Sequence, residues 1–433
     1  METYSTPEAA RATGIRAEGA ARQHMAPEDQ LCLLLFRGEL SPDAERQALD
    51  LLASPLGWQL ILERARAHEV LPLLYRNLEA LGFAGVPEPV RAELADAYGN
   101  NAIRNVLLAK ELARVLALLG EAAVPVMPVK GTALAESLYG DPALRVCADI
   151  DILVPPRYFI EAFRLMVSAG YQSRFTPPPL VELTARYGKD CALVREDRAC
   201  VYPLQLHCGL VWGGPVERDL LEQIWSEAAR KTFYGVPAFA LSAEWEFLYL
   251  AVHAARHGLT PLKWLADLDG LCARGAVDWE KVKDKAKLLA WEGAVQRSLA
   301  TCAALLDTPV QPLSPGPLFP GPLFSGPLSP GNDSRPPRRT LPEQFHLPRS
   351  SALQIPSEVI FGARLLKSRS RKLRFLAARL FIPTSADCRL LPLPSSLFFL
   401  YYPLRPLRVA CTVAAWLVQA GWGGLRRTLR RSG

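Results

Sequence analysis

The chain has 433 residues, half of them hydrophobic, and carries a formal net charge of +7. This length and apolar content allow a sizeable buried core and suggest two or three structural units. The nine cysteines contain no Cys-x-x-Cys pair, and no secretory signal opens the sequence. These features argue against a disulfide framework or a zinc site and favour a cytoplasmic protein with reduced thiols.

The N-terminal part is predicted to be helical. Residues 1–27 are polar and alanine-rich, and we expect them to be disordered. From 28 to 120 the apolar residues recur at helical spacing. Two helices are predicted at the end of this region, at 87–98 and 101–119, and the second is expected to end at Gly120.

The central unit, residues 121–240, mixes strand and helix patterns, and its later strands are predicted at 171–175, 191–195 and 201–212. A short buried strand at 124–129 leads into a turn and a short helix. A second strand follows at 149–154, with the sequence Asp-Ile-Asp-Ile-Leu-Val. Because strand side chains alternate between two faces, Asp149 and Asp151 share one face and the isoleucines the other.

Asp149 and Asp151 are candidate ligands of Mg²⁺. Two carboxylates on one face must be solvated, paired with cations or bound to a metal. Hard divalent ions prefer carboxylate oxygens, and two-metal phosphoryl transfer uses carboxylates that bridge the ions. A solvated strand end is the alternative for such a pair. The strand, turn and helix upstream favour the metal.

The upstream turn consists of Lys130, Gly131 and Thr132, which we interpret as nucleotide-binding residues. Glycine lets backbone N–H groups approach a phosphate closely, and the start of the following helix favours anions. Thr132 could cap that helix or contact phosphate or metal. Lys130 could pair with the aspartates or reach a phosphate oxygen. Arg145 offers a second cation, with a salt bridge as the alternative.

These segments, together with Tyr-Gly-Asp at 139–141, resemble the polymerase-β-type nucleotidyltransferase superfamily. They are most similar to a large bacterial family of uncharacterised nucleotidyltransferases, and the resemblance extends in looser form over about 31–310. It implies an α+β fold, a small mixed nucleotidyltransferase sheet flanked by N-terminal and C-terminal helical regions. It also implies Mg²⁺-dependent transfer of a nucleoside monophosphate from a nucleoside triphosphate to an acceptor hydroxyl, with the nucleotide and the acceptor left open.

The later strand departs from the family pattern. Relatives carry an acidic residue two positions before a histidine, and here Gln205 precedes His207. An amide oxygen can coordinate a metal, but it has no charge and accepts no proton at neutral pH. His207 shares the face of Gln205 and could supply the base or make a structural hydrogen bond. The alternative is a catalytically weak or inactive nucleotide-binding or scaffold protein.

Residues 241–310 return to a helical pattern. His253 and His257 are four residues apart on one predicted helix, but no third ligand follows at a spacing typical of zinc. This segment also resembles the helical part of the family. There we expect it to line the acceptor or base side of the cleft, with Trp264 as a core residue or a stacking platform.

The rest of the chain differs in composition. Residues 311–350 form a predicted Pro/Gly-rich linker. Residues 351–433 contain fourteen lysines and arginines against two acidic residues, around an apolar stretch whose longest uninterrupted part, 409–425, is short for a bilayer span. A peripheral anchor on an anionic membrane surface is one interpretation. Helices packed on the body are the second. Attraction to nucleic acid is the third, and it is the only support for a tRNA-modifying, toxin-like transferase.

Overall fold

The computed structural model describes residues 25–173, 176–198, 200–212, 217–310 and 354–429. Most of the predicted disordered N-terminus and the whole of the predicted linker at 311–350 lie outside these residues. The described parts form a mixed α+β fold in which small sheets are flanked by helical regions, as the sequence predicted.

From residue 25 onward, where the description of the chain begins, five helices precede the sheet. They are α1 (Pro27–Leu35), α2 (Pro42–Leu52), α3 (Trp58–Ala67), α4 (Leu71–Ala80) and α5 (Glu88–Glu121). After a polar first turn, helix α1 is entirely apolar, and Leu31, Cys32, Leu33 and Leu35 are fully buried in the main core. A helix with this composition is stable only when other elements surround it.

Helix α5 continues through the break that the sequence predicted. The expected helices at 87–98 and 101–119 form a single helix of 34 residues that passes Gly120. A glycine inside a helix costs only about 1 kcal/mol relative to alanine. The second half of α5 buries a full apolar stripe, and this packing outweighs the local preference at Gly99; the stripe comprises Leu108, Leu112, Val115, Leu116 and Leu119.

Four strands form a mixed sheet in the order β1-β2-β4-β3. The strands are β1 (Met127–Pro128), β2 (Ile150–Leu153), β3 (Asp190–Glu196) and β4 (Val201–His207). Strand β2 runs parallel to β4 and antiparallel to β1, and β3 runs antiparallel to β4. A two-stranded hairpin follows, formed by β5 (Ala229–Phe233) and β6 (Val236–Ala240).

Shorter helices connect these strands. They are α6 (Gly131–Leu134), which continues as a π-helical turn at Ala135–Tyr139, α7 (Phe159–Ser168), α8 (Pro178–Tyr187) and α9 (Arg218–Ser226). The strand that the pattern indicated at 171–175 is reduced to a single bridge between Gln172 and Val194. Residues 174 and 175 are outside the described part of the chain.

The two faces of the sheet differ as the alternation predicted. Ile150, Ile152, Leu204 and Leu206 are buried on one face, in the core that α5 closes. The other face carries Asp151 and, on β4, Gln205 and His207. This polar face lies near α10 (Ala243–Arg256), the first helix of the following helical region.

That region contains three further helices, α11 (Lys263–Ala273), α12 (Trp279–Leu289) and α13 (Glu292–Leu306). They share one core with α1 and α10. The helices before the sheet and the helices at 243–306 therefore form a single packed body beside the sheet.

The C-terminal region forms α14 (Gln354–Arg364), α15 (Arg369–Phe381), α16 (Ser385–Leu390) and α17 (Tyr401–Leu429). Its first half packs on the body: Leu365, Leu366 and Phe375 are buried in the main core, and the Trp212 indole donates a hydrogen bond to the Gly362 carbonyl over 2.9 Å. Among the described helices, none combines the length and the apolar character needed to cross a bilayer.

Candidate active site

The turn after β1 lies directly against the start of β2. Gly131 has a φ of +60°, and a Cβ atom at this position would lie 3.1 Å from the Asp149 carbonyl oxygen. Both the positive φ and the close approach favour glycine. The Val129 N–H donates to the Asp151 carbonyl over 3.2 Å. These contacts place the predicted phosphate-binding turn beside the two aspartates.

Asp151 is the centre of a buried polar cluster. Its Oδ1 accepts from Lys130 Nζ at 2.9 Å and lies 2.8 Å from His207 Nε2. The Asp151 carboxylate is almost fully buried, with 2% of its side chain exposed. A carboxylate buried to this degree is stable only with such partners. The structure thus unites one predicted nucleotide-binding residue with two predicted catalytic residues.

The two aspartates have pKa values displaced in opposite directions. Burial and the neighbouring charge of Asp151 raise the pKa of Asp149 above its ordinary value. Burial would also raise the pKa of Asp151, but Lys130 and His207 outweigh it and hold that pKa well below its usual range. The pKa of Lys130 is raised, because Tyr249, Asp151 and Asp149 together outweigh the effect of its burial. A cation beside Asp149 would relieve the repulsion between the carboxylates.

Gln205 occupies the position beside Asp151 on the neighbouring strand. In the parallel pairing of β2 with β4, Asp151 is the partner of Gln205 and Leu153 is the partner of His207. The amide therefore lies where a third carboxylate was expected. Its half-buried side chain brings no charge to the cluster.

Sequence reasoning missed one carboxylate at this site, Asp190. In the antiparallel pairing of β3 with β4 it is the partner of His207, and its Oδ2 lies 3.5 Å from His207 Nδ1 and 2.9 Å from Lys189 Nζ. Burial would raise the pKa of Asp190, but Lys189 and His207 lower it. The predicted strand began at Cys191, one residue too late to include this side chain. His207 consequently stands between two carboxylates, Asp151 and Asp190.

Tyr249 and His253 of α10 close the polar face from the helical side. Burial raises the pKa of Tyr249 to about 12 and lowers that of His253, and the charge of Lys130 affects both groups. His253 and His257 pack against Trp264, with ring centroids 4.9 Å and 5.0 Å apart. Trp264 is a half-buried member of the core, one of the two roles predicted for it.

Arg145 lies in a different environment from the one expected of a phosphate ligand. Its guanidinium binds both carboxylate oxygens of Asp267 at 3.0–3.1 Å, and Asp267 is fully buried. The Tyr139 hydroxyl donates to the same carboxylate over 3.0 Å. The structure thus shows the salt bridge that was the alternative for Arg145, and this pair ties the segment before β2 to α11.

The side chain of Thr132, the second residue of α6, does not cap this helix. Helix α6 has Lys130 at its N-cap without a side-chain hydrogen bond, and the buried Thr132 hydroxyl makes no hydrogen bond within the described structure. An unpaired buried hydroxyl is unfavourable. The structure therefore does not show the helix cap that was one of the roles predicted for Thr132.

Comparison with known proteins agrees with this geometry. The model of the uncharacterised nucleotidyltransferase family matches residues 54–307, more than half of the chain. The chain belongs to this family. No curated protein and no solved structure matches it. Membership in the uncharacterised nucleotidyltransferase family confirms the predicted resemblance and supports a nucleotidyltransferase-type activity, with a nucleotide substrate and an acceptor. The matched segment contains every site residue named above and ends before α14.

Proposed function

We propose that the protein transfers a nucleoside monophosphate from a nucleoside triphosphate to an acceptor hydroxyl. The observation that carries this proposal is the close approach of the Gly131 turn to the Asp149 carbonyl, which leaves little room for a Cβ atom, while Lys130 of the same turn binds Asp151. A glycine turn and a carboxylate pair that lie side by side in this way suit phosphoryl transfer, in which positioning and charge stabilisation supply most of the catalysis.

In this reaction the acceptor oxygen attacks the α-phosphorus and forms a new P–O bond. The bond to the bridging oxygen breaks, and pyrophosphate leaves with the electron pair. Gly131 and the Thr132 hydroxyl would contact phosphate oxygens, and Lys130 would offset their charge. The acceptor's proton would pass to the pair of Asp190 and His207, whose Oδ2 and Nδ1 atoms lie 3.5 Å apart.

The donor set fits Mg²⁺. Asp149 and Asp151 would supply carboxylate oxygens and Gln205 an amide oxygen. No group of three or more His, Cys, Asp or Glu side chains suited to a metal occurs among the described residues. Phosphates and water would therefore complete the coordination, as is usual for this ion. Bound Mg²⁺ would neutralise charge on the triphosphate and orient it.

The proposal is tested with the full chain, each of the four labelled nucleoside triphosphates, Mg²⁺, and a cell extract as the source of acceptors. Appearance of label in an acceptor, with release of pyrophosphate and its loss in EDTA, is the expected result. Absence of label with all four nucleotides, in a preparation shown to be folded, would contradict the proposal.

Gln205 favours a second candidate, a nucleotide-binding protein with little or no transfer activity. The amide adds no charge beside Asp151, whose Oδ1 already binds Lys130. We expect Gln205→Glu to strengthen Mg²⁺-dependent nucleotide binding and to raise any transfer activity, because it restores a third carboxylate. Gln205→Ala should change both little. Calorimetric titration and the label assay check this, and a fall in activity with glutamate would instead show that the site depends on the amide.

We propose in addition that the C-terminal region binds an anionic membrane surface. Leu373, Leu390, Phe399 and Leu407 are each more than 60% exposed, within a segment whose net charge is +12. Exposed apolar side chains among basic residues suit the interface of an anionic bilayer.

Deleting the whole region is a poor test, because Leu365, Leu366 and Phe375 belong to the main core. We expect the double variant Leu373→Asp, Leu407→Asp to lose sedimentation with phosphatidylglycerol vesicles at low salt. Leu288→Asp is the matched control, since Leu288 on α12 is 65% exposed and lies outside the basic region. Equal sedimentation of the unaltered chain, the double variant and Leu288→Asp would contradict membrane binding.

A further inference from the structure

A cavity of about 560 Å³ lies between the sheet and the C-terminal region. Residues of α8 and the first residues of β3 form one wall, and α15, α16 and Arg405 of α17 form the other. The second wall lies beyond the part of the chain that the family model matches. The volume of the cavity is in the range of small-molecule sites.

We propose that this cavity binds the acceptor, and that the acceptor is a small phosphorylated molecule. This inference rests on the proposed function, because it names the acceptor class for that reaction. It adds a substrate-binding role for helices that the nucleotidyltransferase core does not itself contain.

The charge of the lining carries the assignment of an anion. The lining residues contain five cationic side chains, Lys189, Arg256, Arg374, Arg379 and Arg405, against one carboxylate, Asp190. Four of the five are arginines, whose planar guanidinium binds phosphate oxygens through paired hydrogen bonds. Lys189 and Arg405 are engaged by Asp190 and Asp387, and Arg379 donates a hydrogen bond to the Trp212 carbonyl. Even with these pairs, the lining is more positive than negative.

The remaining lining sets the size and shape of the ligand. Leu180, Trp212, Phe375 and Ile382 add apolar and aromatic surface to the same cavity. A concave site with apolar walls and a few charged groups is typical of sites for small molecules. Its volume is too small for a folded nucleic acid, so the basic lining here does not require a polynucleotide.

The position of the cavity carries the assignment of an acceptor. Across the sheet order β1-β2-β4-β3, the Gly131 turn lies at the first strand and the cavity adjoins the last. Asp190 lines the cavity and lies 3.5 Å from His207 Nδ1, and His207 Nε2 lies 2.8 Å from Asp151. The nucleotide side and the cavity are therefore joined by the pair of His207 and Asp190, of which Asp190 lines the cavity, and a base for the acceptor hydroxyl is required there.

Arg374 provides the test, because it is exposed on α15 and its replacement leaves the core intact. Calorimetry of the full chain would measure binding of glycerol 3-phosphate, of uncharged glycerol, and of magnesium complexes of non-hydrolysable nucleoside triphosphates. Arg374→Glu is compared with Arg369→Glu, which reverses the same charge on the same helix outside the cavity. Thermal unfolding of each protein confirms that it is folded.

We expect the unaltered chain to bind glycerol 3-phosphate but not glycerol. Arg374→Glu should weaken this binding at least tenfold and Arg369→Glu should not, while both variants keep the affinity for the triphosphate. Unchanged affinity for glycerol 3-phosphate in Arg374→Glu would overturn the inference, as would an unaltered chain that does not bind it. If Arg374→Glu lost affinity for the triphosphate as much as for glycerol 3-phosphate, the cavity would hold the nucleotide. This result would also overturn the inference. A chain that binds glycerol 3-phosphate through Arg374 but no triphosphate would support the anion site and overturn the proposed function.

Discussion

Replacing Asp149 with asparagine is expected to reduce Mg²⁺-dependent nucleotide binding and transfer by at least about 100-fold, since even residues that only support metal ligands contribute roughly 10- to 100-fold. The fold should be as stable as before or slightly more stable. Burial and the charge of Asp151 already disfavour the ionised form of Asp149, so removing its charge relieves repulsion.

Asp151→Asn should lose the same activity but also lose stability. The Asp151 carboxylate neutralises Lys130, whose side chain is only 17% exposed, and it contacts the buried His207. Thermal unfolding and calorimetric titration with Mg²⁺ and a non-hydrolysable triphosphate measure both effects. Asp284→Asn on the exposed side of α12 is the control for a neutralised aspartate. Nucleotide affinity that survives in both site variants would exclude the proposed metal site.

Asp267→Ala is expected to lower the free energy of unfolding by about 3–5 kcal/mol, the usual cost of leaving a buried charge without its partner. The guanidinium of Arg145 is 5% exposed and finds its counter-charge in Asp267. The Tyr139 hydroxyl loses its acceptor as well. Urea unfolding followed by tryptophan fluorescence measures the change.

The double variant Arg145→Met, Asp267→Leu removes both charges and should recover most of the lost stability, because apolar pairs of similar size replace buried ion pairs at little cost. It also separates the two roles considered for Arg145. Nucleotide binding that persists in this variant supports a purely structural pair. Binding that disappears while the fold is restored would assign the guanidinium to a phosphate.

The polar face of the sheet was predictable because alternation along a strand is a local property. Asp149-Ile150-Asp151-Ile152 shows in the sequence which side chains point together. The glycine turn was predictable for a related reason, since Gly131 and its neighbours are adjacent in sequence. The same reasoning placed Gln205 and His207 on one face before their strand partners were known.

Features that depend on pairing between distant segments were not predictable. Asp190 lies beside His207 only because of the register in which β3 pairs with β4. A single sequence does not show that register. The partner of Arg145 is 122 residues away in α11. The break expected between residues 98 and 101 does not occur, because apolar contacts that α5 makes with the sheet keep the helix continuous.

The burial of the leucines of α1 has a practical consequence for anyone expressing this protein in part. A fragment cut at the limits of the family match, 54 and 307, would lack α1 and α14–α15. It would expose the surfaces against which Leu31, Leu33, Leu35 and Phe375 pack. The shortest fragment that keeps its interior covered therefore starts at α1 and retains α15, so homology boundaries are poor guides to cloning boundaries here.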